Sequence, residues 1–397
     1  MSLTRNRSLV ARLWVVFLVN GAVLSSWAPR IPEVKHLLGL SDSELGLALF
    51  GVAAGSVPAL LLTARVLDRV RSGPVCVVTA LVFSASLPLL GVVDGVWQLT
   101  GVLMVLGAAS GVLDIAMNTA GIAYQQHTGH RVLSRLHGAY SLGVLAGALG
   151  GVAATEGGAT VTEHFLAVAV VLVVLALACA PTLWSQPRSP GVRGGAGTPV
   201  VVRNRRFGLP VGIAMLAVSG LLIEGLVTDW SALLITRDLG AQASLGAGTL
   251  ALFSVAMFVS RSAGDAVLNR CTERAVLTTV AVVVGCLVVL GSIVAHPVAM
   301  AVSIGLVGLA LGPVFPVAVS RASRSAPGRA AAMTAQVSAA GYLAYLGGPP
   351  VIGFVAEVIG LPLAFAGTVA LCCAGIAFAR RPGRRRPDGD RGRLGVR

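Results

Sequence analysis

Apolar residues in this chain gather into runs of about 20, enough at roughly 1.5 Å of rise per residue to cross a ~30 Å hydrocarbon layer as a helix. Twelve such runs stand out, at 10–29, 41–64, 74–93, 97–124, 134–154, 163–183, 207–235, 244–267, 274–295, 297–320, 329–356 and 360–380. Ser41-Asp-Ser-Glu44 is a capping-box pattern and starts the second run. Residues 184–206 break the series with Pro187, Pro190, several glycines and Arg188, Arg193, Arg203, Arg205 and Arg206. That composition belongs to a linker rather than a packed element. The pattern therefore predicts an all-α membrane protein: a six-helix bundle over 1–183, a linker over 184–206 and a second six-helix bundle over 207–380. A basic, unstructured tail over 381–397 is expected to lie against an anionic lipid surface.

Polar residues inside the runs are few, and they recur on helix faces. Ser110, Asp114 and Asn118 come every four residues, which puts them on one side of one helix. A carboxylate at bilayer depth costs a few kcal/mol on insertion scales, so Asp114 is expected to face a polar cavity and to act there. Past a short basic turn, His137, Tyr140 and Ser141 repeat the pattern at i, i+3 and i+4. Glu224 falls near the middle of the seventh run, and Gln336, Tyr342 and Tyr345 are the polar positions of the eleventh. Each has a purely structural alternative. The acids can hydrogen-bond neighbouring helices, His137 can cap loop carbonyls, and Asn118 and Tyr140 can join helices.

Composition supports the bilayer. Apolar residues make up 55% of the 397 and charged residues 12%, with a mean hydropathy of +0.85, whereas soluble domains carry about 25% charged residues. The net charge of +14 raises the question of nucleic acid, but the arginines sit in short loops between spans and read as topology signals. All of the 30 Lys and Arg residues except Arg30, Lys35 and Arg237 fall on one side of the twelve-span topology. The positive-inside rule makes that side cytoplasmic, with both termini and the linker. Six scattered cysteines lack metal-ligand spacing and read as free thiols, so no metal and no cofactor is expected. The first run is not followed by a signal-peptidase site. Without a nucleophile motif, metal cluster or phosphate loop, the chain is not expected to be an enzyme.

The halves also resemble each other, the trace of a carrier built from parallel repeats. Asn20-Gly-Ala-Val-Leu-Ser-Ser-Trp27 answers Glu224-Gly-Leu-Val-Thr-Asp-Trp230 with one residue of slippage. Both lead through a Leu-Gly pair, Leu38-Gly39 and Leu239-Gly240, into the next run. Gly143-Val-Leu-Ala146 matches Gly341-Tyr-Leu-Ala344. Trp27-Ala-Pro-Arg30-Ile-Pro32, Asp114-Ile-Ala-Met-Asn118, His137 in Arg-Leu-His-Gly, Asp229-Trp230-Ser231 after Glu224-Gly225, and Arg261-Ser-Ala-Gly264-Asp265 complete the set. On these motifs the chain, over about 10–380, resembles the major facilitator superfamily. Within it the likeness is to the fucose-permease-like branch and a bacterial inner-membrane group typified by YbjJ. The superfamily's inter-helix motif survives as Ala64-Arg-Val-Leu-Asp68-Arg69-Val-Arg71, with both glycines replaced.

The resemblance implies two six-helix bundles, secondary transport by alternating access, and proton coupling in which Asp114 matches the acid of the fourth span. A second acid expected near the outer end of span one is replaced by Trp27, Ala28 and Pro29, so sugar specificity does not carry over. The expected pathway is Asp114, Asn118, His137, Tyr140, Glu224, Gln336, Tyr342 and Tyr345, serving a small solute and protons, in a monomer. Arg30 and Asp229, with Trp230, are expected to form an outer gate, paired when the cavity faces the cytoplasm. Trp230 can alternatively belong to an interfacial belt. Arg65, Asp68, Arg69, Arg261 and Asp265 are expected to tie inner helix ends together. Two alternatives stay open: proton-antiport efflux of a hydrophobic metabolite or drug, and a transporter-like sensor that binds without translocating.

Overall fold

A computed structural model describes residues 3–67, 70–128, 132–184, 209–325 and 330–379. The expected linker and basic tail lie almost entirely outside these residues. Among the described residues the chain is helical throughout. Fourteen helices follow in order: α1 (Leu3–Trp27), α2 (Ile31–Leu37), α3 (Asp42–Val66), α4 (Ser72–Ser86), α5 (Val96–Thr128), α6 (Leu133–Glu156) and α7 (Val161–Trp184) in the first half. In the second half come α8 (Val211–Leu233), α9 (Ala243–Arg270), α10 (Glu273–Val294), α11 (Pro297–Leu311), α12 (Val314–Ser325), α13 (Ala330–Ile359) and α14 (Leu361–Ala379). Eleven stretches of the described residues are long and apolar enough to cross a membrane. The 25-residue α3 occupies the place of the twelfth expected run.

Local chemistry sets the helix starts. Ser41 Oγ accepts from Glu44 N at 3.2 Å while Glu44 Oε2 accepts from Ser41 N at 2.9 Å, completing the expected capping box on α3. Thr160 and Glu163 make the same reciprocal pair at the start of α7. One expected helix is divided: the run at 297–320 breaks at Gly312-Pro313 into α11 and α12, because proline supplies no N–H and clashes with the preceding turn.

The repeat is visible in the turns. Gly39 (φ +62°) and Gly240 (φ +66°) follow α2 and the π-helical turn Leu234–Asp238 at matching places in the two halves. Gly158 (φ +69°) and Gly360 (φ +82°) match in the same way before α7 and α14. Such dihedrals suit glycine alone. Ala295, between α10 and α11, has φ +48° with a Cβ, a conformation that costs an L-residue roughly 1–2 kcal/mol. Ala295→Gly is expected to raise the melting temperature of the detergent-solubilised protein by about 1–2 °C; an unchanged or lower value would show that the strain is not there.

Within each half the helices pack through glycine. Gly21 of α1 meets the Tyr140 carbonyl of α6, and Gly143 of α6 meets the Leu18 carbonyl. Gly55 and Gly107 make the same reciprocal contacts between α3 and α5 with Met104 and Val52. Backbone-to-backbone approach of this kind is how helices associate in lipid, where burying apolar side chains brings little gain. In the second half α8 packs on α13 and α14, and α9 on α11. The halves meet through α3 with α13 and through α6 with α9. All six cysteines are free, four of them buried, with Cys271 and Cys286 exposed.

Candidate functional site

Polar side chains stand at mid-helix in both halves. On α5, Asn118 Nδ2 donates to the Asp114 backbone oxygen at 2.8 Å and to Asp114 Oδ1 at 3.1 Å. The i, i+4 spacing thus joins the two residues, and no cation pairs with Asp114 among the described residues. On α8, Glu224 accepts from Arg261 Nη2 of α9 at 2.7 Å, and Thr228 Oγ1 donates to the Glu224 backbone oxygen at 2.8 Å. Arg261 was expected to tie inner helix ends together; its length brings it to the middle of α8 instead.

Thr228 and Asp229 line a cavity of about 60 Å³ between the halves. Leu24, Trp27 and Ala28 wall it from the first half, with Leu49 and Val52 of α3, and Tyr345 and Pro349 of α13 close the far side. Tyr345 lies against Gly225, where an added Cβ would stand 3.1 Å from the ring. The glycine beside Glu224 therefore makes room for this tyrosine. His137 is exposed and sets its ring edge-on to Phe17 at 5.3 Å. Tyr140, one turn on, is 39% exposed, and Gln336 is half-buried on α13. Asp68 and Arg69 lie outside the described residues, as do the side chains of Arg65, Asp265 and Tyr342.

The expected Arg30–Asp229 pair does not form. Arg30 is 2% exposed and spends its donors inside its own half: on Glu33 at 2.5 Å, on His164 Nδ1 at 3.3 Å and on the Ala159 carbonyl at 2.8 Å. A 3-10 turn over Ala28–Arg30 leads into α2, and Arg30 faces the start of α7. Trp230 is no belt residue: it is completely buried, and among the described residues its Nε1 lacks an acceptor.

What joins the halves at this end centres on Asp42, which sequence reasoning read only as part of a helix cap. Its carboxylate takes Arg237 from the second half and, at 3.2 Å, Lys35 from the first. In return Glu357 of α13 sends Oε2 to the first turn of α3, accepting from Asp42 N at 2.9 Å and Ser43 N at 3.2 Å. The start of a helix favours such an anion. The backbones touch there too: a Cβ on Gly46 would stand 2.5 Å from the Pro349 carbonyl oxygen, and one on Gly353 would run into the Asp42 carbonyl. Every charged contact between the halves among the described residues lies at this end. At the other end Glu273 holds Arg321 at 2.9 Å and Arg324, and Arg321 also reaches the Ala379 carbonyl at 2.7 Å, all within the second half. The signal for the Asp42 cluster was present, since Lys35 and Arg237 were two of the three cations off the basic side.

Known proteins share this architecture. An uncharacterised MFS-type transporter of Yersinia pestis is 28% identical over 92% of this chain and 94% of its own length. The uncharacterised transporter y4wD of Sinorhizobium fredii is 30% identical over 88% of this chain and 91% of its own. Among solved structures, the nucleoside transporter NupG superposes with a TM-score of 0.74 at 14% identity, covering 94% of this chain and 98% of that one. These likenesses describe a multi-pass membrane transporter and not an enzyme. Residues 13–298 match the Major Facilitator Superfamily, and it is to this superfamily that the chain, with its two packed sets of helices and its polar groups enclosed between them, belongs.

Proposed function

We propose that this chain is a secondary carrier that moves a small solute across the cytoplasmic membrane by alternating access, coupled to protons through Asp114. The motifs around Trp27, Asp114 and Glu224 favour the fucose-permease-like branch. The basic loops orient it with both termini and the linker in the cytoplasm, so the Asp42 end is the outer one and the conformation is inward-facing. One observation carries this reading: among the described residues the charged contacts between the halves are confined to one end, while the mid-helix pair Glu224–Arg261 is partly exposed. Two bundles latched at one end around a polar centre are what alternating access requires. Each chain holds a complete pathway, so a monomer suffices. Counterflow in proteoliposomes tests it directly, with labelled solutes from several chemical classes; a protein that binds a solute but exchanges none is a sensor, and the carrier reading falls.

The Asp42 cluster is then the outer latch. Asp42→Asn keeps the shape and removes the charge shared by Lys35 and Arg237. Arg237 is over a third exposed, so the loss is set at about 1 kcal/mol, roughly a fivefold shift toward outward-open molecules. Spin-label distances across the outer face would record it. A distribution identical to wild type would take the latch out of the mechanism.

A further inference from the structure

We propose that Asp229 is the anchor for a positively charged nitrogen on the transported solute, which makes the substrate an organic ammonium compound. The inference rests on the carrier reading above and deepens it. Asp229 lines the cavity between the halves, yet among the described residues its carboxylate has neither a hydrogen-bond nor an ion-pair partner. Arg261 is paired with Glu224, and Arg30 with Glu33, His164 and the Ala159 carbonyl. A carboxylate removed from bulk water without a counter-charge is costly and calls for one.

The walls show which occupant fits. Trp27 and Tyr345, one from each half, both line the cavity, and an ammonium near an aromatic ring is attracted by its quadrupole. A proton on Asp229 would cancel its charge but would make no use of these rings. Trp27, in the wall of the same cavity, also carries a buried Nε1 without an acceptor among the described residues. Glu224, on the same helix as Asp229, is paired with Arg261, which leaves Asp229 as the charged group of the cavity wall and disfavours anionic solutes. Tyr345 and, on its own helix, Glu224 are the titratable groups beside Asp229; α1 and α3 present only apolar side chains and the Trp27 indole to the cavity.

Matched pairs of probes test the charge alone. Butylammonium and phenethylammonium are each compared with their alcohol twins, 1-butanol and 2-phenylethanol, on the purified full-length protein by thermal shift and tryptophan fluorescence. At least one ammonium should bind tenfold or more tightly than its alcohol. Asp229→Asn should erase that preference, Asp229→Glu should keep part of it, and Asp94→Asn, which removes an acid from an exposed turn, should keep all of it. Melting curves without probe establish that the variants fold, and Asp229→Glu answers the question if the asparagine variant does not. A wild type that binds neither ammonium, that binds alcohols equally well, or whose preference survives in Asp229→Asn overturns the proposal. Ammonium binding without exchange in proteoliposomes would remove the carrier and keep the site. Exchange of an uncharged solute by a protein that binds no ammonium would remove the site and keep the carrier.

Discussion

Replacing Asp114 with asparagine is expected to leave solute exchange running and to abolish accumulation against a gradient. Exchange needs only that the halves rock around a loaded site, whereas accumulation needs a group whose proton occupancy differs between the two conformations. Asp114 has the placement for this: it sits mid-helix on α5, half-buried, and Asn118 is its neighbour rather than a cation. A carboxylate paired with arginine would stay ionised throughout; one facing only an amide is free to take up and release a proton as water comes and goes. Asparagine keeps the size and can still meet Asn118, so packing should survive. Proton-driven uptake should fall to the equilibrium level while counterflow stays within about threefold of wild type, a change in ΔG‡ under roughly 1 kcal/mol. Accumulation equal to wild type would make Asp114 structural.

Gly46→Leu is expected to hold the outer face open and stop turnover. The Pro349 carbonyl stands where the new Cβ would go, and because the obstacle is backbone, no rotamer relieves it. Inverting a 99:1 population takes about 5.5 kcal/mol, which a clash between two helix backbones readily exceeds. Counterflow should drop on the order of a hundredfold or more, and spin labels at Leu37→Cys and Ala243→Cys, with the exposed Cys271 and Cys286 replaced, should move apart. Gly101→Leu, on an exposed face of α5 with nothing near the added Cβ, supplies the control for bulk alone. Wild-type transport by Gly46→Leu would mean that the contact between α3 and α13 is not part of the cycle.

The architecture was legible because it is written in features local to the chain. The apolar runs, the capping box at Ser41 and the Leu-Gly pairs at Gly39 and Gly240 each report one segment's needs; the runs reappear as helices, with the one at 297–320 divided, and the cap and the glycine turns appear as read. The i, i+4 spacing likewise delivered the Asp114–Asn118 contact. What failed involved distance in space. Arg30 and Asp229 were matched by counting along two helices, but counting gives height and not azimuth, and Arg30 turns toward α7. Arg261 carries a side chain long enough to reach one helix over, so its position in sequence did not fix its partner. The Asp42 cluster joins residues near 40, 237 and 357, and no single stretch announces it. Pro313 did announce the break between α11 and α12, and the apolar run around it masked the signal.

The carbonyl-to-glycine contacts inside the first half bear on how such a molecule can deform. Where α1 meets α6 and α3 meets α5, the backbones already stand at contact, with reciprocal glycines on both sides. Sliding either pair would push a Cβ or a carbonyl into its neighbour, so each pair behaves as a stiff plate whose internal shear is blocked. Compliance is left to the seams between the plates, α3 against α13 and α6 against α9. At the first of these seams the close glycine contacts and the charges among the described residues gather at one rim. A body built this way opens like a book whose spine can be moved from one edge to the other.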